Sequence, residues 1–348
     1  MKRFCLALIV VLVMPAPARA QVPQGEPPVQ PPPPAVPQFP LVTLGTLTYL
    51  QYVYELEEAD GYNAFDVTRS YIDLRAQLSN RVRARFTPNV KRVTDASLTE
   101  RLGVGLEYAY LQVDVTPRSG LAFGLHQTPW LEFEQGINRY RVQGPLFAER
   151  LKLIPGPSDI GASFRTTSDR TDIHVGVYNG EGYGQTELDR RKSVQGRVTV
   201  RPSSSDSMLG DLRVSGFYSY GWYAAGRPRN LAIAMGSYEH PHVVATAQYL
   251  YARDNPFVAA DVERRGLSLF GEGRQGTTGW AGLGGVDFID PDASNATDSR
   301  RRYLVGGAHW SQWGRGRLGV VISLEQVYRV LGEGALERRV LVQTHVEF

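Results

Sequence analysis

Beyond its first twenty residues the chain has no cysteine, since its single cysteine, Cys5, lies in the N-terminal apolar stretch. A mature protein without cysteine has neither disulfides nor thiolate chemistry. Lysine is almost as scarce past that stretch, where only Lys91, Lys152 and Lys192 occur, so positive charge rests on arginine. No later apolar run is long enough for a membrane-spanning helix, and helix periodicity is nearly absent. The sequence has no G-x-S-x-G elbow, no H-E-x-x-H and no glycine loop between a strand and a helix. His126, His174, His240, His242, His309 and His345 are scattered without ligand spacing. No metal or other cofactor is therefore expected.

What is present begins with "MKRFCLALIVVLVMPAPARA", a basic start, a short apolar core and a small-residue end. This predicts a cleaved export signal over residues 1–20. Its removal takes away Lys2, Arg3 and Arg19 and leaves 35 basic against 35 acidic side chains. A balance of zero gives no reason to expect a nucleic-acid partner. Residues 21–40, "QVPQGEPPVQPPPPAVPQFP", read as an extended periplasmic linker, either a passive spacer or a partner-binding segment.

From residue 41 to 348 apolar and polar residues alternate. Ile72, Leu74, Ala76 and Leu78 oppose Tyr71, Asp73, Arg75 and Gln77; Val82, Ala84 and Phe86 oppose Arg81, Arg83 and Arg85; Val194, Val198 and Val200 oppose Gln195, Arg197 and Thr199. The stretch "PHVVATAQYLYAR" is less clean, because Val244 and Leu250 fall on its wetter face. Period two marks strands, and roughly 16 of about 9 to 13 residues can be traced, the number and length of an outer-membrane barrel. Connections of one parity are short and those of the other generally long, with "TPNVKRVTDA" from Thr87 read as one of the long loops. The predicted fold is all-β, a transmembrane antiparallel β-barrel whose outer face meets outer-membrane lipids. The last strand ends on Phe348, with Val346 on the same face, as the signal read by the barrel assembly machinery does. Aromatics near strand ends, among them Tyr49, Tyr108, Tyr218, Tyr249, Tyr303 and Trp310, suit interface girdles.

The third long connection breaks the size pattern. "WLEFEQGINRYRVQGPLFAERLKLIPGPS" spans about 30 residues and is too apolar for a dangling loop. It is expected to fold inward against the barrel wall and narrow the lumen. Together with "FGLHQTPWLEFEQ" and "HVGVYNGEGYG", its "FAERLKLIPGPSDIGASF" resembles the phosphate-selective porin O and P family from Gly120 to Gly184. Glu149-Arg150, Asp159-Ile160-Gly161 and Asn179-Gly180 carry the match, and Ser158 stands where that family usually has arginine. The resemblance implies a 16-stranded barrel, commonly a homotrimer, that guides anions along arginines and lysines.

Arg81, Arg83 and Arg85 form a one-face ladder which, with Arg75 and Arg197, is expected to line the pore, since lipid exposure of arginine is costly. In the loop, Arg139, Arg141, Arg150 and Lys152 lie near Glu132, Glu134 and Glu149. These charges either pair to hold the loop to the wall or attract solutes. The function these features favour is passive diffusion of small hydrophilic or anionic solutes, phosphate among them. A structural anchor barrel is the alternative, with an outer-membrane hydrolase built from distant strands a weaker one.

Overall fold

Along Ser193–Val200 the polar side chains Ser193, Gln195, Arg197 and Thr199 are buried, while Val194, Val198 and Val200 are exposed. A sheet in water does the reverse. Turning valine out and arginine in suits a wall with lipid outside and a polar interior.

In the computed structural model this strand is the eighth of sixteen that close antiparallel into one barrel. Residues 38–57, 61–95, 98–184, 187, 190–203, 211–223, 227–255, 261–295, 297–329 and 335–348 are described. The expected leader over residues 1–20 and nearly all of the expected linker over 21–40 lie outside them. The strands are β1 (Leu41–Glu55), β2 (Asn63–Gln77), β3 (Val82–Asp95), β4 (Leu98–Thr116), β5 (Ser119–Gln127), β6 (Ser158–Thr167), β7 (Thr171–Tyr178) and β8 (Ser193–Val200). They continue as β9 (Leu212–Tyr223), β10 (Arg227–His240), β11 (Val243–Asp254), β12 (Val262–Arg274), β13 (Gly279–Asp290), β14 (Arg300–Trp313), β15 (Gly316–Arg329) and β16 (Ala335–Glu347).

Closure depends on the last strand pairing with the first, from Leu47↔Glu347 to Glu55↔Arg339. The Phe348 N–H donates to the Thr46 carbonyl at 3.1 Å, and the Thr46 N–H donates to the Phe348 carbonyl at 2.7 Å. The chain therefore ends inside the ladder, with Phe348 and Val346 on the outer face opposite buried His345 and Gln343. Among the described strands no sheet edge is left open.

Most short connections share the end that carries both barrel termini, including Pro117–Arg118, Pro241–His242 and Gly314–Arg315; the segment 201–211 is a longer exception there. The loop expected from Thr87 is instead strand. Residues of β3 as far as Asp95 pair with β4, which begins at Leu98. A register shift at Thr87/Pro88 absorbs the proline, which has no N–H for the ladder. Arg81 belongs to the turn before β3 and is exposed at the rim, so the arginine ladder on the strand reduces to Arg83 and Arg85. The expected aromatic girdle divides in two. Tyr218, Tyr249 and Tyr303 are exposed, whereas Tyr49, Tyr108 and Trp310 are buried and face inward.

Candidate functional site in the barrel lumen

Residues 128–157, between β5 and β6, form α1 (Leu131–Ile137), a single 3-10 turn at Arg141–Gln143 and α2 (Phe147–Arg150). Their side chains reach β2, β3, β12, β13 and β14, while wall side chains on β8, β10 and β16 bond their carbonyls. A segment touching inward-facing groups on so many sides of a closed sheet lies within the ring they form.

Two apolar contacts seat it. Trp130, Leu131, Ile137, Phe147, Leu153 and Ile154 pack on Phe217, Leu231, Ile233, Met235, Val244 and Leu250 of β9–β11. Tyr140 and Val142 pack on Leu283, Leu304, Trp310 and Val321 of β13–β15. A fully buried side chain of this size contributes about 1.5–3 kcal/mol. Val244 and Leu250, untidy as strand alternation, are the docking wall.

Ion pairs then fix the register. Arg139 meets Glu272, donates to the Thr277 carbonyl at 2.9 Å and lies over the Trp310 ring. Arg141 and Arg69 hold Glu149 from two sides, at 2.6 and 3.1 Å. Burial raises the Glu149 carboxyl, but those two guanidiniums outweigh it and keep it below its ordinary range. Arg150 joins Asp287, which Arg302 also holds, and Arg302 pairs with Glu325, which Arg339 shares. This chain of charges along β13–β16 was not anticipated, although each member occupies the inner parity of its strand. Lys152, two residues past α2, is in the left-handed region at φ 57° with its side chain exposed, and its carbonyl accepts from Arg229.

Asp159 and Gly161 lie at the loop's base, where β6 begins. Asp159 accepts N–H bonds from Ile160 and Gly180, both at 2.7 Å, tying the end of this loop to the start of the next. Gly161 has no room for a Cβ, which would lie 2.1 Å from the Val177 carbonyl oxygen. Nearby, His126 Nδ1 lies 2.9 Å from the Gly124 carbonyl, and its Nε2 lies 2.8 Å from Ser163 Oγ, which His174 also contacts.

Because the loop covers β9–β15, the open lumen is off-centre, along β2–β7. A cavity of about 830 Å³ at the terminus-bearing end is lined by Arg75, Arg83, Arg85, Gln112, Arg118 and Arg165, with Asp114 and Glu132 as its carboxylates. A second, of about 350 Å³, is bordered by Ser163, His174, Arg197 and Arg213. A third, of about 240 Å³, lies among Tyr49, Tyr71, Tyr108 and Arg141. Glu132 borders all three, and Arg75 and Arg85 border the first and third. Arg85 bridges the wall to the loop, bonding Asp73 at 2.7 Å and Glu132 at 3.3 Å and stacking on Tyr108.

Three guanidiniums on this wall stand forward of their partners, whereas Arg85, 14 % exposed, lies behind Asp73 and Glu132 at 19 and 37 %. Arg75, Arg83 and Arg165 are 63, 47 and 61 % exposed, whereas Asp73, Asp114 and Asp172 are 19, 26 and 7 % exposed. Arg197 is different. It is buried under α1, bonded to Asp172, to Thr199 and to the Pro129 carbonyl, with the Phe133 ring 3.9 Å away. Glu134 is also buried, accepting from Trp130 Nε1 at 2.8 Å.

Solved structures of the same architecture are outer-membrane proteins. OmpT of Vibrio cholerae superposes with a TM-score of 0.63 at 9 % identity, over 90 % of this chain and 99 % of that one. The fold is that of the outer-membrane porins. Salmonella typhi OmpF, solved with daunomycin, matches at TM-score 0.61 and 10 % identity over 88 % and 97 % of the two chains. The porin fold extends to the outer membrane channel DcaP of Acinetobacter baumannii, at TM-score 0.57 and 12 % identity over 88 % and 97 %. No family model and no curated protein matches the chain, so the likeness to the phosphate-selective porins rests on the Gly120–Gly184 stretch.

Proposed function

We propose that the protein is a porin of the bacterial outer membrane, a passive water-filled channel that changes no bond and passes small hydrophilic solutes with a moderate preference for anions, phosphate among them. The observation that carries the anion preference is the exposure asymmetry on the β2–β6 wall. Arg75, Arg83 and Arg165 meet the solvent of the lumen and their carboxylates lie behind them, so the near field at the passage is positive although the mature chain is formally neutral. Arginine suits phosphate and carboxylate oxygens through its planar donor fork. The scarcity of lysine is thus no bar to anion guidance. Glu132 opposes it from the loop. Homotrimeric assembly is part of the same reading, supported by the Vibrio cholerae OmpT structure, which was solved in a trimer form.

Planar bilayers test the channel directly. Stepwise currents on insertion are expected, and replacing Arg75, Arg83 and Arg165 together by glutamine should lower the anion-to-cation permeability ratio, more so in dilute salt where screening is weak. A folded protein that inserts without conducting would be the anchor barrel instead.

A further inference from the structure

The docked loop carries one carboxyl that is left without an ion-pair partner among the described residues. Glu134 points from α1 into the layer between loop and wall, 7 % exposed, where the Trp130 N–H is its hydrogen-bond partner. No ion pair reaches it among the described residues, although charged groups face it on several sides. Arg141 of the 3-10 turn is engaged with Glu149, and on its own helix Glu132 turns away to Arg85. Glu149 and Arg150 of α2, Asp287 of β13 and Arg302 of β14 complete the charged surroundings, with Arg150 and Arg302 both committed to Asp287. Neutral neighbours are Tyr140, Thr246, Gln248 and Ser268, around a cavity of about 50 Å³ that Glu134 borders and that has room for water to exchange its proton.

Burying an uncompensated carboxylate is costly, whereas the neutral acid keeps its bond from Trp130. We propose that Glu134 is a proton-operated latch: protonated, it lets the constriction loop lie docked, and ionised, it is driven toward water and lifts α1 from the wall, widening the passage. Burial, which the Trp130 bond and then Arg141 and Arg150 only partly offset, pushes its pKa up to about 7. With the loop lifted, the group returns to the ordinary carboxylate range. Docking is therefore fully stabilised in acid, weakens as pH rises through the ordinary range, and reaches its floor above about 7. Glu149, held low, acts with the opposite sign, and its protonation loosens the loop only below the ordinary carboxylate range. Glu132 on the same helix is also pushed up by burial, with Arg85 opposing, and acts with the same sign, so the share that belongs to Glu134 is what its own substitution removes.

The latch builds on the channel reading only through its electrical readout. In bilayers at fixed salt, the ratio of wide to narrow conductance states should rise on the order of a hundred-fold from pH 4.5 to 8. Glu134→Gln should remove most of that rise, leaving only the share of Glu132. Trp130→Phe, which removes the one donor to the carboxylate, should move the midpoint to higher pH, a shift that mere loss of packing does not produce. A Glu134→Gln channel that retains the wild-type pH profile, or a wild type without one, overturns the latch. Absence of current at any pH overturns the channel reading instead. The latch is then decided by the fluorescence contribution of Trp130, taken as wild type minus Trp130→Phe in detergent. A shift to the red with rising pH supports it, and constant emission defeats it.

Discussion

Glu132 borders all three of the cavities along β2–β7, and its bond to Arg85 ties the loop to the arginine wall. Glu132→Gln should raise the anion-to-cation permeability ratio, the opposite of removing the exposed arginines. The arginines themselves divide by burial. Arg75→Gln breaks a solvent-facing pair with Asp73 and should change stability by at most about 1 kcal/mol. Arg197→Met leaves Asp172 with Arg165 alone in a buried site and should cost about 3 kcal/mol, read from urea unfolding in detergent. Both arginines are expected from alternation to face inward. Alternation shows which side of a strand faces the lumen. It does not show that α1 would cover Arg197 and leave Arg75 in water, because that depends on where a distant segment lands.

At the scale of elements, the inward loop was legible from its length and its apolar content, since Trp130, Leu131 and Phe147 need a surface to pack on. The surface itself was present in the sequence as an irregularity, with Val244 and Leu250 on the inner face of β11. Leu231, Ile233 and Met235 extend that apolar wall onto β10. The reach of β3 and β4 was not legible. Pro88 and the polar run after it look like a loop, and only pairing with the facing strand shows them to be ladder. Two expectations follow. Deleting residues 135–155 should raise single-channel conductance in a barrel that still forms. Leu250→Asn, which places a polar amide against Trp130 and its neighbours, should weaken docking by about 2–3 kcal/mol and increase the time spent in the wide state.

For the whole molecule, the same inversion that turns Val194 outward and Arg197 inward recurs around a ring closed by the last residue. Removing Phe348 takes away two main-chain bonds to Thr46 and the final outward aromatic. The truncated chain should accumulate less heat-modifiable barrel in the outer-membrane fraction than the full chain, with far-UV spectra of the surviving protein still dominated by strand. Around the barrel, the loop masks the apolar wall of β9–β15 and leaves arginine on the wall that remains wet. The reversal potential of the wild-type channel under a potassium chloride gradient tests this arrangement most directly. The account expects a sign that reports chloride as the more permeant ion, increasingly so as salt is diluted. A potential reporting potassium preference at every salt concentration would contradict it and leave the arginine wall as structure alone.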